Sequence, residues 1–555
     1  MTRKEMDERG WSALDVLLVT GDAYVDHPAF GVSVIARILE KHGYRVGIAP
    51  QPRWDTIEDL LRMGSPELFV GITAGANDSM SALRTAHRKN RRFDRCTPGG
   101  RAGKRPPRAA IVYAQLARRA FGDIPIILGG IEPSTRRFVH YDFWQHDIRR
   151  SCLADAKADL LVYGMGERAC LEIARRLSNG MNDLTNIPGT CRIVSNPPDH
   201  CTDEDKKSIV LPSLEDIKKD PRLLIDASKI IETCIRKRPF PHLYQEFEDR
   251  GIIAEPPPPH ENGRALDAYY ELPYTRNAHP LYNESVPALD TVRWSLTSHR
   301  GCFGGCSFCS VALHAGYRIG SRTTASLVRE ARTMVRMQNF RGAITDVGGP
   351  TANMYKMGCR SGAKGGKCNR VSCLHPSICA DLNTSHSEWL KMLKAIRLVP
   401  GVKHVRVASG IRHDLILENP EALLPILLHY TGGRMRVAPE HVAGKVLRLM
   451  RKPDGDRFGE FVDLFMKTSR KCPRKVELAA YLMTSFPGSG TWERDLLARM
   501  LQTRQVNHYE VQCFTPTPGT TASAMYFARC DDRKKPLFIP SDDRSRKKST
   551  LIESR

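Results

Sequence analysis

The chain has 555 residues, 41% of them hydrophobic, and a formal net charge of +23. This composition is typical of a soluble globular protein, and no apolar run reaches the roughly 18 residues that a transmembrane helix needs. Its charged start also lacks the apolar stretch of a signal peptide. We therefore expect a cytoplasmic protein without a membrane partner, whose 16 cysteines serve metal binding, catalysis or packing rather than disulfides.

The N-terminal part of the chain, residues 1–190, alternates predicted strands and helices. Apolar runs predict strands at 13–20, 45–49, 67–73, 124–130 and 158–164. Helical periodicity predicts helices such as 31–42 and 109–121. This order indicates an α/β domain, a doubly wound Rossmann-type sheet that binds ligands near the carboxyl ends of its strands.

A second series of strands and helices occupies residues 289–520. Its candidate strands are 291–297, 343–347, 404–409, 434–438, 477–484 and 509–514. Six parallel strands with helices between them favour a partial β/α (TIM-like) barrel, which places its chemistry at the carboxyl ends of the strands. Residues 191–288 carry little signal and are interpreted as a connector, and residues 521–555 as a basic C-terminal tail.

The positive charge is concentrated in one segment of the first domain. Residues 84–108 hold ten Lys or Arg and a single acid, Asp94, among glycines and prolines. Such a basic loop is either solvated surface or a contact for nucleic acid. Nucleic acid therefore remains a candidate partner, and the alternative function is a non-catalytic, metal-stabilised nucleic-acid-binding protein.

Three cysteines stand together where the first strand of the second series ends. Cys302, Cys306 and Cys309 have the spacing C-x3-C-x2-C, with glycines between them that let the backbone turn tightly. Thiolates hold four-iron clusters with one ligand per iron, so three ligands leave one iron open for a substrate or cofactor. The alternative is a zinc knuckle that borrows His299 or His314.

Longer motifs around these cysteines resemble one family. HRGCFGGCSFC (299–309), DVGGPTANMY (346–355), SGIRHDL (409–415), VAPEH (437–441) and FTPTPGT (514–520) resemble the YgiQ-type radical S-adenosylmethionine (radical SAM) proteins. So do TGDAYVDHPAFG (20–31), LGGIEPSTRR (128–137), HYDFW (140–144) and LVYGMGE (161–167). The likeness extends over roughly residues 11–552.

The resemblance implies an enzyme with two cofactors, a [4Fe-4S] cluster and S-adenosylmethionine. Reductive cleavage of the latter would give a 5′-deoxyadenosyl radical that modifies an unidentified substrate, with an electron donor such as flavodoxin or ferredoxin. By position, Cys302, Cys306 and Cys309 would ligate the cluster. The cofactor-binding residues would be Phe308 against the adenine, Gly348 and Gly349 at the methionine amino group, Ser409 and Arg412 at its carboxylate, and Glu440 at the ribose.

A second cysteine group lies in a Gly- and Lys-rich insert, residues 356–386. Its members are Cys359, Cys368, Cys373 and Cys379. Four cysteines within 21 residues predict a second site, which holds either an auxiliary iron–sulfur cluster or a structural zinc. Their spacing does not distinguish these two, and free thiols are the third alternative.

The first domain resembles the cobalamin-binding domain that precedes many radical SAM barrels. The signature of base-off cobalamin binding is D-x-H-x-x-G, whereas His27 here directly follows Asp26 and precedes Gly31 by four positions. The sequence therefore predicts no cobalamin. Polar groups for the crevice of this domain come instead from the strand-end residues Glu132, Arg136, Arg137, His140 and Tyr141.

Overall fold

A computed structural model describes residues 2–195, 208–236, 240–260, 263–361, 368–504, 506 and 508–540. The chain forms two compact units. The first is Met1–Pro259 with Leu272–Arg293, and the second is His260–Glu271 with Trp294–Arg555. None of the helices within the described ranges combines the length and the apolar character that crossing a membrane requires.

The first unit is built on one nine-stranded mixed sheet. Its strands lie in the order Val46–Pro50, Leu14–Thr20, Pro66–Thr73, Ile126–Gly129, Leu160–Val162, Thr190–Val194, Arg250–Ala254, His242–Phe247 and Ser208–Leu211. The first five are parallel and are the five predicted strands, in the spatial order 2-1-3-4-5. The predicted doubly wound α/β fold is thus confirmed.

The sequence predicts residues 191–288 to be a connector, but 191–259 and 272–288 belong to this unit and contain most of the sheet's last four strands, while 260–271 belong to the second unit. Thr190–Val194 and Arg250–Ala254 are antiparallel to their neighbours on both sides. An antiparallel strand need not be buried on both faces, and Thr190–Val194 is fully buried only at Thr190 and Cys191, so it lacks the continuous apolar run of a buried parallel strand. That difference explains why the sequence pattern did not reveal them.

Helices cover the parallel part of the first sheet. Val16 and Leu18 pack against the helices 31–41 and 167–178, while Leu17 and Val19 on the opposite face are also fully buried. The helices of this unit are Arg3–Glu8, Gly31–Lys41, Glu58–Leu61, Ser79–Leu83, Ala109–Phe121, Ile131–Thr135, Cys152–Ala156, Glu167–Ser178, Leu214–Lys219, Leu223–Cys234 and Pro287–Val292. A small hairpin pairs His140–Asp142 with Asp147–Arg149.

The second unit is a partial β/α barrel, as predicted. Its parallel strands follow one another in chain order as Ser295–Thr297, Ala343–Ile344 continued by Asp346–Gly348, His404–Val405, Arg434–Glu440, Glu477–Thr484 and His508–Cys513. A parallel bridge between Ile411 and Val437 joins the third position to the fourth. The carboxyl ends of all six positions therefore lie at one end of the barrel.

The outer face of the barrel carries the core of this unit. Leu478, Ala480 and Leu482 are buried in one apolar cluster with helix residues such as Trp389 and Phe461. The helices are Gly263–Tyr270, Val311–Ala315, Thr324–Val335, Ser387–Arg397, His413–Leu417, Leu423–His429, Gly444–Met450, Gly455–Ser469, Thr491–Thr503 and Thr521–Ala528. Short ladders pair His299–Arg300 with Gly320–Ser321 and Gly358–Cys359 with Leu382–Asn383.

Candidate active site

The three-cysteine loop follows the first barrel strand and owes its path to glycine. Gly301 has a φ of +87°, and a Cβ there would lie 1.9 Å from the carbonyl oxygen of Arg318. Gly305 has a φ of +61°, and its Cβ would lie 2.2 Å from the carbonyl oxygen of Val371. No other residue can take this backbone conformation in that space without a shift of its neighbours.

The three thiols of the loop are gathered but do not converge on one point. A Cβ on Gly304 would stand 3.3 Å from Cys302 Sγ and 3.9 Å from Cys306 Sγ. Burial raises the pKa of Cys309 to about 12, and the neighbouring thiols add to this. Within the described ranges, no three His, Cys, Asp or Glu side chains are arranged to hold a single metal ion. Ligands of a four-iron cluster each bind a different iron, so their sulfurs stand apart, and the donor set fits such a cluster.

Arg412 lies beside these thiols rather than free in the barrel mouth. Its Nη1 is 3.8 Å from Cys306 Sγ, and its Nε and Nη2 donate to the two carboxylate oxygens of Asp414 over 2.8 and 2.7 Å. Burial opposes ionisation of Asp414, but the Arg412 charge and hydrogen bonds hold the pKa of this carboxyl below its usual range. The pair therefore stays ionised and presents a guanidinium to the thiols.

A second buried cation, Lys452, links two of the predicted cofactor residues. Its Nζ donates to the carbonyl oxygen of Ala438 over 2.7 Å, lies 3.4 Å from Glu440 Oε1, and stands 5.9 Å from the centroid of the Phe308 ring. Burial raises the pKa of Glu440, while the Lys452 charge opposes that rise. Glu440 also has a φ of +69°, an unfavourable backbone conformation for a non-glycine residue that is typical of functional sites.

The remaining predicted cofactor residues meet at the end of the second barrel strand. A Cβ on Gly348 would lie 2.6 Å from Ser409 Oγ, and one on Gly349 would lie 2.6 Å from the carbonyl oxygen of His299. The Ser409 hydroxyl donates to Asp346, whose other oxygen accepts from the Ser409 amide over 3.0 Å. The two glycines thus allow close approach of the backbone, and Asp346 orients Ser409.

The second cysteine group is attached to the three-cysteine loop. The Cys373 amide donates to the carbonyl oxygen of Phe303 over 3.1 Å, and the Cys379 amide donates to the carbonyl oxygen of Cys373 over 2.8 Å. Cys373 and Cys379 are half-buried, whereas Cys359 and Cys368 are exposed. Residues 362–367, between the exposed pair, lie outside the described residues, and the structure packs Cys373 and Cys379 against one apolar cluster.

The crevice of the first unit is filled by its own side chains. In a sheet of order 2-1-3-4-5 the ligand crevice lies where the first and third strands end. There Arg105, which is buried, donates to the Ala74 carbonyl oxygen over 2.8 Å, to Asp22 over 2.7 Å and to Asp94 over 3.0 Å. The switch point is therefore occupied by residues of the segment 84–108.

The polar strand-end residues of this unit are likewise engaged. Glu132 accepts from the Ser79 amide and hydroxyl over 2.7 and 2.5 Å and from the Ala110 amide over 3.2 Å. Arg136 pairs with Asp78. His27 is buried with its Nε2 2.8 Å from Arg276 Nη1. His27 and the polar strand-end residues are thus engaged with protein groups in this arrangement.

Three residues of these sites went unrecognised in the sequence. Lys452 lies beside Glu440 and Phe308, Asp414 holds Arg412, and Arg105 fills the crevice of the first unit. Asp414 lies inside the SGIRHDL motif, so the motif itself was a usable signal. Lys452 and Arg105 belong to Arg- and Lys-rich stretches that are indistinguishable from solvated surface in the sequence.

Sequence comparison was made with protein families and individual proteins. The sequence model of the Radical SAM N-terminal family matches residues 1–295. A UPF0313 protein of Thermotoga neapolitana is 42% identical over 536 residues, which are 96% of this chain and 93% of that protein. A UPF0313 protein of Geobacter sulfurreducens is 42% identical over 557 residues, covering 99% of this chain and 90% of that protein.

The chain belongs to the UPF0313 family. The Radical SAM N-terminal match covers more than half of the chain, so the predicted YgiQ-type radical SAM enzyme is confirmed as a class. Its substrate is not identified by any of these relatives.

A solved structure shares the fold at much lower sequence identity. The radical S-adenosylmethionine methyltransferase TsrM from Kitasatospora setae, solved with cobalamin and a [4Fe-4S] cluster bound, superposes with a TM-score of 0.52 at 16% identity. The match covers 92% of this chain and 77% of that one. This likeness supports the fold of the UPF0313 protein and does not extend to its ligands.

Proposed function

We propose that this UPF0313 protein cleaves S-adenosylmethionine reductively at the carboxyl end of its barrel and uses the resulting radical on an unidentified substrate. The observation that carries the proposal is the three-cysteine loop. Glycines at 301 and 305 set its path, its thiols stand apart at the end of the first barrel strand, and Arg412 faces them. This is the donor set of a four-iron cluster with one open iron.

The chain's own residues would hold and orient the two cofactors. When bound, the cluster supplies the electron that breaks the sulfonium bond of S-adenosylmethionine. Cys302, Cys306 and Cys309 would ligate it, and Arg412 would offset the negative charge of the thiolates. Phe308 and Glu440, both next to Lys452, would contact the adenine and the ribose.

The methionine part of the cofactor would meet backbone and Ser409. Gly348 and Gly349 are packed against Ser409 and His299, with which a side chain at either position would collide, so the amino group would meet their backbone. Arg412 is already held by Asp414 through Nε and one N–H of Nη2, so its predicted contact with the methionine carboxylate would use the N–H groups that remain on Nη1 and Nη2. An electron donor such as flavodoxin or ferredoxin completes the proposal.

We further propose that the UPF0313 protein works without cobalamin. Two observations support this: His27 contacts Arg276 instead of being free for cobalt, and Arg105 with Asp22 fills the switch point of the first sheet. The first unit would then serve as a scaffold or bind a different ligand.

The test is anaerobic reconstitution with iron, sulfide, a reductant and S-adenosylmethionine, followed by measurement of 5′-deoxyadenosine and methionine. The wild type should produce both, and Cys302→Ala, Cys306→Ala and Cys309→Ala should each abolish them. Cys472→Ala, which removes a cysteine packed against the helical core, is the matched control and should behave as wild type. Wild-type turnover in any of the three loop variants would overturn the assignment.

A further inference from the structure

The strands of the barrel present two different faces. Along Glu477–Thr484, buried residues alternate with half-buried ones, and the buried ones pack against helices. Strand Arg434–Glu440 shows the same alternation, with Met435 and Val437 in the helical core. Arg434, Arg436 and Ala438 therefore share the opposite face, which lines the interior of the barrel, before a register shift between Val437 and Glu440 interrupts the alternation.

A cavity of about 510 Å³ opens on this inner face at the amino end of the strands. It is lined by Thr345, Arg406, Val407, Ala408, Gly432, Gly433, Arg434, Arg436, Lys475 and Glu477. Its volume is within the range of small-molecule sites. Four of its side chains are cationic and only one is acidic, so its lining has a net positive charge.

The only acidic residue in the cavity lining forms its ion pairs with residues other than Arg406 and Arg436. Glu477 lies 3.3 Å from Arg434, 3.0 Å from Lys475 and 2.9 Å from His508. Arg406 and Arg436 instead donate to carbonyl oxygens, those of Thr431 over 2.8 Å and of Ala408 over 3.4 Å. Among the described residues neither guanidinium has a carboxylate within ion-pair distance.

Arg406 is held where its charge is costly. Burial and the charge of Arg474 both lower the pKa of Arg406. A half-buried arginine pair without an acid is stabilised by an anion from solution, and the planar fork of guanidinium matches a phosphate group in two-point contact. An excess of three positive charges in the lining favours a phosphate over a single carboxylate.

The cavity also lies in line with the proposed reaction centre. Arg436 and Glu440 are on one strand, four residues apart, and the register shift between Val437 and Glu440 shortens this stretch, so at most roughly 13 Å of strand separate them. Ala408, in the cavity lining, directly precedes Ser409. A substrate anchored at Arg436 would extend along the barrel interior toward the cofactor end.

We propose that the cavity around Arg406 and Arg436 binds a phosphate group of the substrate. This contact would anchor the substrate at the end of the barrel opposite the site of hydrogen abstraction. The proposal rests on the proposed function, since it assigns the substrate class of that same barrel. It restricts that class to phosphate-bearing molecules long enough to span the distance from Arg436 to Glu440 along the strand.

The experiment measures pyrophosphate binding to the reconstituted full-length protein by calorimetry at constant ionic strength. Arg436→Gln should weaken binding by about tenfold, the effect of losing one charge-assisted contact. Arg436→Lys should recover part of the loss, because it restores the charge without the fork. Lys394→Gln, an equal change of charge at an exposed position on an outer helix, should bind as wild type.

A second variant, Lys475→Gln, tests the proposal should Arg436→Gln misfold, because 85% of the Lys475 side chain is exposed. This variant should fold normally and weaken pyrophosphate binding severalfold. Equal binding by wild type, Arg436→Gln and Lys475→Gln would overturn the proposal. Succinate binding as tight as pyrophosphate binding would also overturn it, in favour of a carboxylate site. Production of 5′-deoxyadenosine by the wild type tests the proposed function separately, since the pyrophosphate titration contains no S-adenosylmethionine.

Discussion

Arg105 Nη2 donates to Asp22 Oδ1 over 2.7 Å, and both side chains are buried although 83 residues separate them. The same guanidinium holds Asp94 and the carbonyl oxygen of Ala74. One side chain thus ties the ends of the first and third strands to the segment 84–108. In the fold shared with TsrM, this is where a ligand crevice would otherwise open.

The first prediction is that Arg105→Ala strongly lowers the free energy of unfolding. We also expect that the wild-type protein does not bind cobalamin. The variant leaves two buried carboxylates without their cation, which costs about 3–5 kcal/mol of unfolding free energy. Denaturant unfolding measures this loss, and hydroxocobalamin titration followed by visible absorbance measures binding. Asp22→Asn and Asp94→Asn introduced together with Arg105→Met should recover part of the stability. Stoichiometric cobalamin binding by the wild type would contradict the prediction.

The second prediction concerns His386, a buried side chain in the core of the second unit. Its Nε2 lies 3.1 Å from Asn353 Nδ2, and burial lowers its pKa from 6.5 to about 4. As pH falls below 6.5 the unfolded chain takes up this proton before the folded protein does. The contribution of His386 is therefore complete above pH 6.5 and is lost progressively as pH falls toward 4.

The variant His386→Gln should accordingly make the free energy of unfolding depend less on pH. Between pH 6.5 and 4 the slope of unfolding free energy against pH should fall by up to about 1.4 kcal/mol per pH unit, the value for one proton. Urea unfolding at several pH values checks it. His404→Gln is the control, because His404 is exposed and its substitution should leave the slope unchanged. An unaltered slope in His386→Gln would show that this histidine is protonated in the folded state.

The third prediction concerns nucleic acid as a partner. Within the segment 84–108, Lys89, Arg92, Arg95 and Lys104 are exposed, and the Phe93 ring is 52% exposed beside them. If this surface binds single-stranded RNA, changing the four cations to Gln should flatten the slope of log affinity against log salt by about 3 units. Fluorescence anisotropy with a labelled RNA measures the slope.

The control for this measurement carries the same change of charge elsewhere. Lys394, Lys403, Lys467 and Lys471 are exposed on the second unit, and their change to Gln should leave the slope close to that of wild type. Phe93→Ala should weaken binding without changing the slope, since stacking releases no counterions. Equal slopes in wild type and the loop variant would identify the segment as solvated surface.

Much of the fold could be predicted because its strands and helices have strong periodicity. The helix Ala109–Phe121 and the strand Glu477–Thr484 have their predicted bounds, since glycine, proline or polar residues punctuate both ends. Contacts between distant charged residues could not be predicted. Arg412 approaches Cys306 across 106 residues, and Lys452 meets Glu440 at a strand end. No periodicity encodes such pairs, because each depends on how the barrel brings its loops together.

The last prediction concerns the second cysteine group. If Cys359, Cys368, Cys373 and Cys379 bind metal, a variant without Cys302, Cys306 and Cys309 should still retain it after reconstitution. We expect iron with the absorbance of a cluster, because the Cys373 amide is bonded to the carbonyl oxygen of Phe303 and so lies beside the three-cysteine loop. Metal analysis and absorbance spectra measure the outcome. Zinc in place of iron would make the insert a structural clip that carries no electrons.

Single variants within the group separate a metal site from packing. Cys368→Ser, at an exposed position, should release the metal if all four cysteines are ligands and should change nothing if the group only packs. Cys513→Ser is the matched control, because Cys513 is half-buried at the end of a barrel strand and belongs to neither group. Metal-free protein with four titratable thiols in the insert would contradict both the cluster and the zinc site.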